Sequence, residues 1–228
     1  MHINQTNYFE IVKESQAAGA TLVAVSKIKP AAAIKELYDL GHRDFGENYV
    51  QELVAKYEAL PKDIRWHFIG HLQSNKVKYI ASFVHLIHGI DSYKLLKETN
   101  KQAKKVNRVI DVLLQVHIAQ EETKFGFNES ELDELLNTNS SNESKDELSE
   151  LRNIKIVGLM GMASFSDNED LVRSELKNLK RLYEKHAELQ TPNCRLQTLS
   201  MGMSGDYKIA LEEGSSMIRI GSLLFGKR

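Results

Sequence analysis

The sequence predicts an α/β fold built as one domain, a single (β/α)8 TIM barrel over residues 1–228 with an extra N-terminal helix, and three observations carry that prediction. Eight short apolar, β-branched runs recur along the chain, each separated from the next by an amphipathic stretch or a turn. Such alternation favours a parallel sheet, because parallel neighbours need a crossover that a helix supplies. The runs are nearly continuous in apolar character, which suits strands buried on both faces. The chain has 228 residues, a length that a barrel uses as one unit and that falls short of two full domains. An open doubly wound sheet is the competing arrangement, and periodicity alone does not separate the two.

The elements follow in order. A helix over about Asn7 to Ala18 precedes the first strand, Thr21 to Lys27 (TLVAVSK). Pro30 stands where a helix begins, since its missing N–H costs nothing in the first turn. Ala31 to Leu40 is rich in helix formers, and Gly41 is the C-terminal stop. Arg43 to Glu47 reads as a strand, Tyr49 to Leu60 as a helix that Pro61 breaks, and Arg65 to Ile69 as the third strand. Asn75 to Ala81 is helical and Leu86 to Ile90 extended, and Asp91 or Ser92 caps a helix that runs to Val106. Val109 to Ile118 is the fifth strand, Glu129 to Leu136 a helix and Lys155 to Met160 the sixth strand. A helix from Glu169 to Leu189 carries an incomplete stripe of Leu171, Leu176, Leu179 and Leu182. Arg195 to Ser200 and Met217 to Ile220 complete eight strands, with a short helix over Tyr207 to Glu213 between them. Only Ser222 to Arg228 follow the last strand, so the N-terminal helix is expected to cover the gap between the last and first strands. Residues 138–150 (TNSSNESKDELSE) read as an exposed insertion on the face away from the strand ends.

Composition narrows the function. Lys plus Arg (30) balances Asp plus Glu (31), for a formal net charge of −1, so the basic surplus of a nucleic-acid binder is absent. Cys194 is the only cysteine, which excludes an intrachain disulfide and a cysteine zinc cluster. The N-terminus is polar, with no signal-peptide core, and no apolar run approaches the roughly 18–20 residues of a membrane span. A monomeric cytoplasmic protein without a membrane or nucleic-acid partner is the expectation.

On a barrel, chemistry gathers at the C-terminal ends of the strands. Those ends are polar here while the strand interiors are apolar: Ser26 and Lys27, Glu47 and Asn48, His67 to Gly70, His117, Met162 and Ala163, Ser200 to Gly205, and Arg219 to Ser222. A lysine at the end of an apolar strand has little water about its stem, and burial favours the neutral amine that attacks an aldehyde. A lysine that simply reaches solvent is the plain alternative for Lys27. Lys29 shares its strand parity, lies nearer the helix start, and is expected to be the more exposed of the two. Ser200-Met201-Gly202-Met203-Ser204-Gly205 leads from the seventh strand into a helix, and Arg219-Ile220-Gly221-Ser222 closes the eighth. Small residues followed by a helix N-terminus let backbone N–H groups approach an anion, and barrels commonly bind phosphate with these two loops. The histidine pairs 67/71 and 85/88 have helix-type metal spacing, but they sit on strands and loops without a third ligand, so no metal is expected. Gly158, Gly161 and the methionines around them are expected to pack the barrel.

The motif Ser-Lys-x-Lys-Pro at 26–30 resembles the opening signature of the pyridoxal phosphate homeostasis protein family. Gly46-Glu47-Asn48-Tyr49-Val50-Gln51-Glu52, His67-Phe68-Ile69-Gly70-His71-Leu72-Gln73-Ser74-Asn75-Lys76, Lys124-Phe125-Gly126, Gly158-Leu159-Met160 and the stretch from Leu199 to Arg228 fit the same pattern in the same order. Agreement spans Thr21 to Arg228; the N-terminal helix and residues 138–150 match weakly, and Ile28 stands where the family often shows threonine.

The resemblance implies a barrel like the N-terminal domain of alanine racemase that holds pyridoxal 5′-phosphate (PLP) as an internal aldimine with Lys27. It implies that Ser204, Gly205, Gly221 and Ser222 hold the phosphate, that Asn48, Ser200 and Met201 line the ring, and that Arg219 reaches either the ring nitrogen or the phosphate. It further implies intracellular vitamin B6 homeostasis with little or no catalysis and no catalytic residue of its own. PLP-dependent apoenzymes are its natural partners. A PLP-dependent amino-acid racemase and a Schiff-base aldolase are the enzymatic alternatives.

Overall fold

The computed structural model describes residues 3–120, 125–136, 148–188 and 190–226. Most of the 138–150 segment, and Lys124 of the Lys-Phe-Gly motif, lie outside the described residues.

The strands are β1 Thr21–Val25, β2 Asp44–Glu47, β3 Arg65–Phe68, β4 Leu86–Ile90, β5 Ile110–Gln115, β6 Ile154–Met160, β7 Gln190–Thr191, β8 Cys194–Ser200 and β9 Met217–Ile220. Eight of them run parallel in the order β6-β5-β4-β3-β2-β1-β9-β8, and β6 pairs with β8, so the sheet closes on itself. The open alternative is thereby excluded. The ninth strand, β7, was not foreseen: it is a two-residue segment antiparallel to the start of β8, with Thr191 opposite Cys194. It follows a helix, Glu169–Lys185, that ends short of the expected Leu189. Pro192 accounts for the extended backbone at Thr191, because its ring crowds a helical conformation in the residue before it.

The other helices are α1 Gln5–Ala17, α2 Ala31–Asp39, α3 Val50–Ala59, α4 Val77–Ile80, α5 Tyr93–Lys105 and α6 Glu129–Leu136. Glu169–Lys185 is α7, and α8 Tyr207–Glu212 and the one-turn α9 Ser222–Phe225 complete the set. Local signals set the ends of these helices. Ser92 caps α5 by accepting the Leu95 N–H, Asn168 caps α7 through Leu171, and Gly41 takes a φ of 95° just past α2. Pro30 is the N-cap of α2, which begins at Ala31 as expected.

Alternation along the strands divides two cores. Outward-facing residues such as Phe45, Trp66, Phe68, Ile87 and Leu114 pack under the helices in one large cluster. Inward-facing Val23, Leu86, Leu113, Met160 and Met217 form a separate, smaller cluster inside the barrel. Helix α1 covers the seam between β9 and β1, as anticipated. It buries Tyr8 and Ile11 there, the Asn4 N–H reaches Leu224 O at 2.8 Å, and Asn7 Nδ2 donates to Leu223 O at 3.0 Å.

Closure at β6–β8 demands a very close backbone approach. Gly158 is paired with Thr198, and a Cβ on Gly158 would overlap the Thr198 carbonyl oxygen. Gly158→Ala is therefore expected to lower stability by about 3 kcal/mol or more, read as a fall in the urea midpoint. A variant as stable as the parent would mean that this seam is looser than described.

Candidate functional site

The turn after β1 presents Lys27. The strand ends at Val25, two residues earlier than the sequence suggested, and the Lys29 N–H closes a turn onto Ser26 O at 3.0 Å. Val23 belongs to the inner core and Val25 lines the cavity above it, so Lys27, next in the same alternation, stands at the barrel mouth, partly buried. Ile28 takes a φ of 57°, a conformation a β-branched residue adopts only when its surroundings impose it. Glu52 imposes it by accepting the Ile28 N–H on Oε1 at 2.5 Å.

Beneath this turn lies a buried ion pair. Lys56 Nζ donates to Glu47 Oε1 at 2.7 Å, to Glu52 Oε1 at 2.6 Å and to Ser26 O at 2.7 Å. The Ser26 hydroxyl also donates to Glu47 Oε1, at 2.6 Å. Burial pushes the Glu47 carboxyl above its ordinary range, and the Lys56 charge opposes that rise. A charge this deep is stable only with such partners, so the group ties β1, β2 and α3 together under Lys27. Lys29 differs from the expectation of exposure. It is buried, and its Nζ donates to Phe225 O at 3.0 Å and Gly226 O at 3.2 Å. Lys29 lines the mouth cavity too, but those two acceptors hold its amine against the backbone after α9.

One cavity of about 820 Å3 opens at the mouth, and Lys27, Asn48, Ser204, Gly205, Arg219, Gly221 and Ser222 all line it. Seven of the nine residues singled out from the sequence thus converge. The other two do not: Ser200 and Met201 are fully buried and off the cavity wall. Ser200 lies below Arg219, whose Nη1 donates to its hydroxyl oxygen at 2.6 Å, and Met201 packs in the outer core. Strand alternation sends these neighbours to opposite sides of the wall, and neither side is the cavity. The loop after β6 was underweighted in the sequence. Met162, Ser164, Phe165 and Asp167 form a further wall, and Glu175 holds that loop by accepting the Ser164 N–H at 2.6 Å and its hydroxyl at 2.7 Å. Its position after a strand was the available signal.

The lining is suited to an anionic ligand with further polar atoms. Arg219 is buried, and burial brings its guanidinium down to about 10, opposed by the charge of Asp206. Among the described residues, no acceptor takes the backbone N–H groups of Ser204, Gly205 or Ser222. The Gly221 N–H is held by Ser204 Oγ at 3.2 Å, a bond that an anion could replace. A Cβ on Gly205 would meet nothing within 4 Å, so the glycine leaves open space in the cavity. Asn48 Oδ1 is buried with no hydrogen-bond partner, a cost that a polar group of a ligand would remove. An amine, a cation, unclaimed N–H groups and an orphaned amide therefore surround one space. No group of His, Cys, Asp or Glu among the described residues is arranged to hold a metal ion.

The barrel itself belongs to a known class of fold. The profile of the family described as alanine racemase, N-terminal domain, matches residues 5–228. The pyridoxal phosphate homeostasis protein of Aquifex aeolicus is 44% identical over 211 residues, covering 92% of this chain and 87% of the relative. The structure of PipY from Synechococcus elongatus PCC7942 without PLP superposes with a TM-score of 0.87 at 34% identity, covering 97% of this chain and 99% of that one. The structure of PipY with PLP bound gives a TM-score of 0.77 at 33% identity, covering 94% and 100% of the two chains. The chain belongs to the pyridoxal phosphate homeostasis protein family.

Burial sets the acid sensitivity of this barrel. His88 is fully buried, and desolvation holds its pKa well below the ordinary value. An unfolded chain binds a proton there as pH falls through about 6.5 while the folded protein does not, so stability is complete above that pH and declines below it. The melting temperature is expected to fall between about pH 8 and about pH 5.5, with a smaller fall in His88→Gln. A residual slope comes from His42, His85 and His186, which burial also lowers. Equal slopes in parent and variant would contradict the assignment.

Proposed function

We propose that this protein holds pyridoxal 5′-phosphate through an imine with Lys27 and serves the intracellular homeostasis of that cofactor, with little or no catalysis of its own. The observation that carries the reading is the convergence of Lys27 with the unclaimed N–H groups of Ser204, Gly205 and Ser222 on one cavity. The binding of PLP by PipY, a relative that matches nearly the whole chain, supports it. The cofactor would supply an aldehyde, with which the Lys27 amine would condense with loss of water. Ser204, Gly205, Gly221 and Ser222 receive the phosphate through backbone N–H groups, aided by the serine hydroxyls. Asn48, beside Lys27, gives its orphaned amide a partner on the ring, and Arg219 supplies the cation that faces the cofactor's ring nitrogen or phosphate.

The name borne by relatives such as the Aquifex protein supports a carrier rather than an enzyme. The partners proposed are PLP itself and the apoenzymes that take it, with the protein acting as a monomer in the cytoplasm. Among the described residues, no helix is long and apolar enough to cross a membrane.

Titration with PLP tests this reading. The parent is expected to develop the near-visible absorption of an imine. Lys27→Ala should lack that band and bind at least about tenfold more weakly, a loss of about 1.4 kcal/mol or more. An unchanged band in Lys27→Ala would remove the lysine assignment, and rapid exchange of an amino-acid α-proton with solvent deuterium would remove the non-catalytic one. Gly205→Val probes the cradle separately. Because a Cβ there meets nothing, stability should change by less than about 0.5 kcal/mol, while the side chain obstructs the phosphate and affinity drops about tenfold. Full affinity in that variant would place the phosphate elsewhere.

A further inference from the structure

A line of hydrogen-bonded polar side chains runs inside the barrel from the base of the strands to the mouth. At the base, Arg65 donates from Nε to Asp44 Oδ1 at 2.7 Å and from Nη2 to Oδ2 at 2.5 Å. His67 Nε2 lies 3.1 Å from Asp44 Oδ1, and His67 Nδ1 lies 3.0 Å from His88 Nε2. His88 Nδ1 lies 3.2 Å from Ser200 Oγ, which accepts from Arg219 Nη1 at 2.6 Å. Arg219 Nη2 donates to Gly161 O at 3.0 Å. His67, His88 and Ser200 are fully buried, and apolar residues fill the neighbouring inward positions Val23, Leu86, Leu113, Met160 and Met217.

The hydrogens on this line can be assigned from its two ends. Arg65 and Arg219 are donors only, and an ionised Asp44 is an acceptor only. Burial pushes the Asp44 carboxyl up, but its contacts with His67 and Arg65 outweigh that effect and hold it well below the ordinary range. Asp44 therefore draws the hydrogen of His67 to Nε2 and leaves Nδ1 bare. Bare Nδ1 accepts from His88 only if the His88 hydrogen is on Nε2, which leaves His88 Nδ1 bare in turn. That nitrogen takes the Ser200 hydroxyl hydrogen, so the lone pairs of Ser200 Oγ turn to Arg219. Each interior member donates once toward Asp44 and accepts once from the side of Arg219. With one hydrogen on each ring, every buried nitrogen and oxygen on the line has a partner.

We infer that Asp44, His67, His88 and Ser200 are positioning residues for Arg219: they fix one tautomer along a one-way line and so hold the guanidinium at a set place and angle in the mouth. Its consequence for ligand binding rests on the reading that the cavity takes PLP. With its hydrogen taken by His88 Nδ1, Ser200 Oγ accepts from Arg219, so the tautomer of His88 sets the direction in which that oxygen presents its lone pairs. The carboxylate at the far end of the barrel thus governs the cation that faces the cofactor.

Nitrogen-15 NMR of the imidazoles in the cofactor-free protein tests the line directly. His67 and His88 should both carry hydrogen on Nε2, and the Arg219 side-chain N–H signals should exchange slowly with water. In Ser200→Ala and His88→Phe those arginine signals should exchange at least about tenfold faster, while Ser200→Thr, which keeps the hydroxyl, stays close to the parent. With PLP added, the same two variants should bind about tenfold more weakly with a shifted absorption band, and the double variant should be no worse than either single one. A His88 hydrogen on Nδ1 overturns the inference, as does parental arginine exchange together with parental affinity and band in folded Ser200→Ala. Failure of the parent to take up PLP would remove the cofactor reading alone, and the tautomers and arginine exchange would still decide the line.

Discussion

The pairing of β1 with β9 is the contact on which the site depends. Thr21, Leu22, Val23 and Ala24 sit in register with Met217, Ile218, Arg219 and Ile220. Lys27 arises near the beginning of the chain and Arg219, Gly221 and Ser222 near its end, so only closure of the barrel brings them together. A slip of one residue would turn Arg219 out of the lumen and Val23 out of the inner core, because side chains alternate along both strands. Helix α1 protects this seam, and Lys29 fastens it from the other side by donating to the carbonyl oxygens of Phe225 and Gly226.

Two sets of buried polar groups support the mouth from below. The Glu47–Lys56 pair, with Ser26 and Glu52, holds the turn that presents Lys27. The line from Asp44 to Ser200 ends on Arg219. Buried charges and imidazoles contribute little net stability, since desolvation offsets much of what their contacts return. Their effect is geometric: their contacts fix one arrangement, and that arrangement aims an amine or a cation into the cavity.

Much of this fold was legible in the sequence, and the misses have physical causes. Strands β4 and β9 and helix α6 fall where their apolar runs and flanking polar residues placed them. Strand β1 stops before Lys27 because Ser26 is drawn into the Glu47 cluster, whose partner Lys56 lies on a helix that no short-range pattern connects to it. Lys29 was misread as exposed because its acceptors lie 196 and 197 residues further along the chain. The family resemblance sets Ser200 and Met201 at the ring, yet strand geometry sinks one beneath the floor and turns the other outward. The histidines were weighed in pairs along the chain, 67 with 71 and 85 with 88. The pair that forms is His67 with His88 across adjacent strands, His88 standing two residues beyond Leu86, the register partner of His67. The cavity-lining residues were the more readable part, since strand order alone delivers their loops to one end of the barrel.

The central claim is that Lys27, and not its neighbour Lys29, is the amine that meets the cofactor. Borohydride reduction of the protein with PLP, followed by proteolysis and mass spectrometry, reads this directly, since a reduced imine leaves a permanent mass on one lysine. The mass is expected on Lys27 alone, because the two carbonyl oxygens that hold Lys29 Nζ keep it out of reach. A modified Lys29, or a protein that carries no added mass, would contradict it.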